Sequence, residues 1–189
     1  MDAGATAQIR NMVAGIKSFD TLEQDHIDDI LGWIDSSAPL FRVSKPDNPP
    51  KHLVSYFVLY DEKAKLLMLI DHIKAMSWVP TGGHVDPDEN PRETVMREAT
   101  EELGINAHFT QKFGANPFFV TITTTKGYGN HTDVSLWFII NGDSNAELEY
   151  DAGEMNGYQW LSPQQILDMD IIELDPHMHR FTQKLITPQ

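Results

Sequence analysis

In the stretch Arg97-Glu98-Ala99-Thr100-Glu101-Glu102-Leu103-Gly104-Ile105, three glutamates stand at positions i, i+3 and i+4. On a helix that spacing gathers the carboxylates on one face within a single turn. Like charges so placed repel by on the order of 0.2–0.5 kcal/mol a pair. Arg97, four positions before Glu101, is the only basic side chain in the turn. Gly104 marks the helix C-terminus, where the dipole disfavours anions further. A compensating cation is therefore expected, and an all-oxygen donor set suits a hard dication, Mg²⁺ or Mn²⁺, that keeps waters and accepts phosphate oxygens. An acidic helix run taken alone is usually a solvated face. Here Gly82-Gly83 precedes the helix, a loop whose bare backbone can approach a metal or phosphate closely, and Glu89 stands just before the helix start.

These side chains need a frame. Asn90 as N-cap, Pro91 at the first helical position, Glu93 completing an Asn-x-x-Glu box and Gly104 beyond the last turn delimit the helix, with Val95, Ala99 and Leu103 as its buried stripe. Upstream, His52 to Tyr60 and Lys65 to Asp71 are apolar runs around the polar turn Asp61 to Ala64, which predicts a hairpin. Trp78 to Gly83 reads as a glycine-rich loop. Downstream, strands are expected at Asn106 to Phe113, Phe118 to Thr125, Val134 to Asn141 and Gly157 to Leu161, then a helix opened by Ser162-Pro163 and a last one over Pro176 to Ile186.

At the N-terminus, Ile9, Met12, Val13 and Ile16, then Ile27, Ile30, Leu31 and Ile34 after an Asp20-x-x-Glu23 cap, give two amphipathic helices. Their apolar faces need a cover, either a second copy of the chain in a homodimer or the chain's own sheet. Four prolines between Ser36 and Lys51 make an extended connector. The expected organisation is a helical extension over residues 1–45 and an α/β domain over 46–189 with a mixed sheet.

The 189 residues include 28 Asp plus Glu against 14 Lys plus Arg, a net charge of −14, and no cysteine. Such a charge repels nucleic acid and bare polyphosphate alike, so an anionic substrate needs intervening cations. The missing cysteine removes disulfides, thiolate metal sites and Cys nucleophiles. No stretch approaches the roughly 18 apolar residues of a membrane span, and the first residues lack a signal-peptide core. A soluble cytoplasmic protein without membrane or nucleic-acid partners is the expectation.

Gly83, five residues, Glu89, seven residues, then Arg97-Glu98-Ala99-x-Glu101-Glu102-x-Gly104-Ile105 resembles the complete Nudix box of the Nudix (MutT-like) hydrolases. Pro80-Thr81-Gly82-Gly83 departs by one residue from the family's Pro-Gly-Gly, leaving the box register unchanged. The similarity extends over about residues 52 to 170. It implies an α/β/α sandwich and Mg²⁺-dependent cleavage, with Mn²⁺ as a substitute, of a nucleoside diphosphate linked to another moiety, by water attack on phosphorus. Glu98 and Glu102 would be the main metal ligands, Glu101 a further ligand or the base, the Gly82 carbonyl a backbone ligand, and Arg97 the group that orients Glu101. Glu89 is read as an acid closing the loop onto the helix. Glu154, six residues before Trp160, is the candidate for the later acid of many members, with Glu147, Glu149 and Asp151 as neighbours that could replace it.

The resemblance leaves the nucleotide open: nucleoside triphosphates, nucleotide sugars, dinucleoside polyphosphates and ADP-ribose all qualify. Isopentenyl diphosphate isomerase shares the fold but relies on a cysteine, and mRNA decapping asks for a basic surface. A non-catalytic Nudix-like nucleotide sensor is the alternative of another class, although such modules tend to have a degraded box. As substrate contacts, His84 could touch a phosphate or a base, or cap the loop. His131 and Asp133, two apart on a strand, face one side together and could line the cleft or hold the strand end. Trp78, Phe118, Phe119 and Tyr128 could stack on a nucleobase or fill the core. His177 and His179, two apart on a helix, do not form a pair.

Overall fold

Alternation along the two central strands decides the architecture. In the computed structural model, which describes residues 3–44, 48–125 and 131–188, the elements run α1 (Ala3–Ala14), α2 (Thr21–Asp35), β1 (Lys51–Asp61), β2 (Leu66–His72), β3 (Ser77–Val79), β4 (Thr81–His84) and α3 (Pro91–Leu103). They continue with β5 (Phe119–Thr124), β6 (Thr132–Asn141), β7 (Met155–Leu161), α4 (Pro163–Asp168), a 3-10 turn (Ile171–Glu173) and α5 (Met178–Ile186). Leu53, Phe57 and Leu59 of β1 and Val134, Leu136, Phe138 and Ile140 of β6 belong to one buried cluster. The alternate residues Val58, Tyr60, Trp137 and Ile139 belong to another. Both faces of a sheet with period-2 side chains are thus covered, which requires helices on each side.

The first cluster takes Ile9 and Val13 of α1, Ile27, Ile30 and Ile34 of α2, and Val95, Ala99 and Leu103 of α3. The second takes Ile166 of α4 and Met178, Phe181 and Leu185 of α5. Each fully buried aliphatic is worth about 1.5–3 kcal/mol, so α1 and α2 are held by the chain's own sheet, one of the two covers their patterning called for. Two ion pairs tie α2 to α5. Asp20, the N-cap of α2, accepts from Arg180 at 2.6 and 2.8 Å, and Lys184 Nζ donates to Glu23 Oε1 at 2.7 Å with both side chains buried.

β1 runs parallel to β6 from Lys51 opposite Thr132 to Tyr60 opposite Asn141, and β5 adds antiparallel to β6. The other edge of β1 is divided. β4 pairs with Val54 to Phe57, whereas β2 meets β1 at Tyr60 and Asp61, then carries β3 and β7. The sheet therefore forks between β2 and β4.

Two expectations are corrected here. Trp78 to Gly83 is not a loop: β3 pairs with β2 and β4 with β1, and Pro80 between them transfers the chain across the fork at the point where no N–H is needed. Residues 106–113 do not form a strand; Phe109 makes a single bridge to Ile140. β5 already occupies the β6 edge up to Trp137, and the chain turns at Thr110, whose carbonyl accepts from Gly114 N–H. The capping box of α3 forms as its sequence predicts, with Gly104 at φ +65° closing the helix.

Candidate active site

The fork opens a cavity of about 1220 Å³, lined by residues of β1, β2, β4, α3 and β6. Its floor is set by glycine. At Gly83 an added Cβ would lie 2.0 Å from Glu98 Oε1, so the carboxylate of α3 rests directly on bare β4 backbone. Gly82 has φ +146°, and a Cβ there would meet the Ser55 carbonyl oxygen at 2.1 Å; both space and backbone conformation exclude other residues. Gly82 N–H donates to Glu102 Oε2 at 3.3 Å.

Arg97 organises the acids. Its Nε and Nη2 donate to the two oxygens of Glu89, each at 3.1 Å, its Nη1 to Glu98 Oε1 at 2.6 Å and Glu101 Oε2 at 3.3 Å, and its Nη2 also to the His84 carbonyl at 3.2 Å. It thus grips Glu89 and Glu98 more closely than Glu101, which is 60% exposed. Glu89 spends its remaining capacity on Thr94 Oγ1 and Asp86 N–H. Burial alone would raise the Glu89 carboxyl, but hydrogen bonds from Arg97 and Thr94 bring it below its ordinary value.

Among the described residues Glu102 has no cationic partner, only the Gly82 N–H. Burial, then the charges of Glu98 and Glu154, push its carboxyl up to about 8. Burial also raises Glu98, with Arg97 counteracting. Glu154 lies 3.5 Å from Lys74 Nζ and lines the cavity together with Glu98 and Glu102. Asp151 instead accepts from Gly153 N–H, and Glu149 packs at Gly104.

His84 and His131 also line the cavity. Trp78 does not reach the lining: it packs against the second core cluster, and its carbonyl accepts from Asp175 N–H. Phe119 is a core residue of that cluster and the half-buried Phe118 packs against it. Tyr128 lies outside the described residues. Arg42, Tyr56, His72 and Lys74 of the cavity lining went unread in the sequence, as did the buried polar residues His52 and Asp175 close to it. Burial raises the Tyr56 hydroxyl well above its ordinary value and the Asp175 carboxyl to about 6. Tyr56 and His52 sit inside the apolar run of β1, where only the register with β4 and β6 reveals them.

A mixed sheet between helical layers carries the site, with acids from a capped helix laid on a glycine pair. The NUDIX domain family model matches residues 50–185, and the chain belongs to that family. Among similar proteins, the mouse bis(5'-nucleosyl)-tetraphosphatase (asymmetrical) is 34% identical over 87 residues, 44% of this chain and 54% of the relative. A putative 8-oxo-dGTP diphosphatase of Bacillus subtilis is 27% identical over 107 residues, 57% of this chain and 64% of the relative. The chain thus matches about half to two thirds of the length of these relatives. A NUDIX-family hydrolase from Clostridium perfringens shares the fold with TM-score 0.54 at 20% identity, over 71% of this chain and 95% of its own. Among the described residues no helix is long and apolar enough to cross a membrane.

Proposed function

We propose that the protein hydrolyses the pyrophosphate linkage of a small nucleoside-diphosphate derivative with the help of Mg²⁺, for which Mn²⁺ can substitute. The observation that carries this reading is the convergence of Glu98, Glu102 and Glu154 beside the Gly82-Gly83 backbone, with no cationic side chain paired to Glu102 among the described residues. The residues fit a hard dication: oxygen donors, a backbone cradle that a Cβ would fill, and a carboxyl held near 8 by burial and then by like charges that a cation would relieve. Glu98, Glu102, the Gly82 carbonyl and Glu101 would hold it. When bound, such an ion lowers the pKa of its water and offsets charge on the phosphate oxygens.

The chain's own groups supply the rest. Arg97 fixes Glu98 through a 2.6 Å hydrogen bond and leaves Glu101 solvated, free to take a proton from an attacking water; Glu154 across the cavity is the second candidate for that role. Val54, Ile70 and Val79 supply the apolar part of the cavity lining. The relatives' names, a dinucleoside tetraphosphatase and an 8-oxo-dGTP diphosphatase, agree in class and differ in nucleotide. The test is a panel of nucleoside triphosphates, nucleotide sugars, dinucleoside polyphosphates and ADP-ribose with Mg²⁺ or Mn²⁺, reading released phosphate. Cleavage lost in Glu102→Gln with the fold retained is expected; nucleotide bound but never cleaved would assign the chain to the sensor class instead.

A further inference from the structure

At the other end of β4 from the acids' floor, three imidazoles and a carboxylate converge: His52 at the start of β1, His84 at the end of β4, and His131 and Asp133 at the start of β6. One ligand atom from each lies within 4.8 Å of all the others. The sheet register makes this meeting, since His52 pairs with Asp133 across β1 and β6, and Val54 pairs with His84 across β1 and β4. His52 is fully buried.

The hydrogen bonds orient these groups as ligands. His52 Nδ1 lies 2.8 Å from the Pro49 carbonyl oxygen, an acceptor only, so Nδ1 carries a proton and Nε2 is the atom that faces inward. That Nε2 stands 3.3 Å from Asp133 Oδ1, and neither atom has a hydrogen bond of good geometry among the described residues. Thr125 Oγ1 donates to the His131 carbonyl, which leaves the hydroxyl oxygen to accept from His131 Nδ1 at 3.0 Å. His131 Nε2 then also points its lone pair at Asp133 Oδ1, again at 3.3 Å. His84 Nε2 is buried without a hydrogen-bond partner among the described residues.

His52 Nε2, His84 Nε2 and Asp133 Oδ1 are thus buried without a hydrogen-bond partner among the described residues. Each such unsatisfied atom costs about 1–3 kcal/mol and calls for a missing donor or cation. Spacings of 3.3 Å are close to the ~3.4 Å edge of a tetrahedron whose bonds are about 2.0–2.1 Å, the zinc–imidazole distance. An imidazole that gives its other N–H to a backbone carbonyl is the arrangement of a metal-ligating histidine.

We propose that His52, His84, His131 and Asp133 form a second metal site for a borderline divalent transition ion, zinc foremost, which pins the ends of β1, β4 and β6 together beside the active-site cavity. Three nitrogens and one oxygen exclude Mg²⁺ as the preferred occupant and separate this site from the oxygen site on α3. With four protein ligands it is a closed, structural site. Arg42, whose charge reaches both His52 and His84, adds a positive charge to the same wall, and Asp133 offsets part of the ion's charge. Because Arg97 holds the His84 carbonyl, the clamp also steadies the residue that positions the acids.

The test needs no substrate. Metal-free protein is titrated with Zn²⁺ against a chromophoric chelator, and with Co²⁺ to read its d–d absorption. One tight equivalent per chain is expected, with tetrahedral Co²⁺ bands and a Zn²⁺-induced rise in Tm. His84→Ala and Asp133→Asn should each weaken Zn²⁺ at least as much as the roughly 10–100-fold loss caused by removing an outer partner. Buried His52 is a poorer position to vary, because His52→Gln can fail to fold. Glu102→Gln should keep the zinc. Zinc uptake below one equivalent, or uptake that survives both His84→Ala and Asp133→Asn, overturns the proposal. So does uptake lost in Glu102→Gln, or an imidazole NMR signature of doubly protonated His52 that added zinc leaves unchanged.

Discussion

The cavity has two polar walls built on opposite plans. The acids of α3 come from one helical turn, are partly solvated, and are neutralised in part by Arg97. The His52, His84, His131 and Asp133 cluster is assembled from three strands, is more enclosed, and turns imidazole nitrogens and a single carboxylate inward. Under the two proposals, the first wall would hold a hard cation that exchanges and keeps water, and the second a softer one that stays. One cavity can therefore hold a working site and a fixed strut side by side without either taking the other's metal.

The sharpest way to break the comparison is Glu102→Gln. If the two walls are independent, turnover falls by about 10²–10³, the usual cost of one charge-stabilising group, while zinc stoichiometry is unchanged. Steady-state kinetics paired with metal analysis checks both halves. Gly83→Ala comes next. Its Cβ would collide with Glu98 at 2.0 Å, and displacing that carboxylate by about an ångström should lower kcat roughly 10²-fold. A variant as active as the parent would mean that Glu98 is not held where it must act.

The third prediction concerns pH. The Glu102 carboxyl, raised by burial and by Glu98 and Glu154 to about 8, takes up its proton more readily in the folded chain than in the unfolded one. Its stabilising contribution is therefore complete below the ordinary carboxylate value and is lost as pH rises through about 8. Metal-free protein should melt lower at pH 9 than at pH 6, Mg²⁺ should restore the difference, and Glu102→Gln should flatten it. In the same range, Mg²⁺ affinity should fall about tenfold per unit below pH 8, since binding expels one proton.

The smallest effect is a control away from both walls. Asp20, drawn down to about 2 chiefly by its hydrogen bonds with Arg180, caps α2. Asp20→Asn should cost about 1 kcal/mol at neutral pH. Because the folded pKa is depressed, that cost is present above the ordinary carboxylate value and disappears as pH falls through about 2. Urea melts at pH 7 and pH 2.5 read this directly, with cation binding on either wall unaltered.

The two walls also differ in how far the sequence discloses them. Glu98, Glu101 and Glu102 are neighbours in the chain, and helical periodicity alone puts them together. Asn90, Pro91 and Gly104 bound their helix through local capping, which composition reads well. His52 could not be read this way: it begins an apolar strand and meets Asp133 only through the parallel ladder of β1 and β6. Residues 78–83 were misread because glycine and proline suggest a loop, whereas the split edge of β1 recruits them as short strands. Residues 106–113 have strand-like composition, but β5 had taken most of the β6 edge. Trp78 faced core rather than cavity for a related reason: side-chain direction on so short a strand depends on its partner's register.

The parallel pairing of β1 with β6 has a consequence for how the chain reaches its native state. Positions roughly eighty apart must close before His52 and Asp133 meet, and the entropy of that loop is spent before any ladder bond repays it. The α3 acids can be in place as soon as their helix is capped. The imidazole wall needs that long-range pairing, so stopped-flow uptake at the proposed zinc site would time the closure of the β1–β6 ladder.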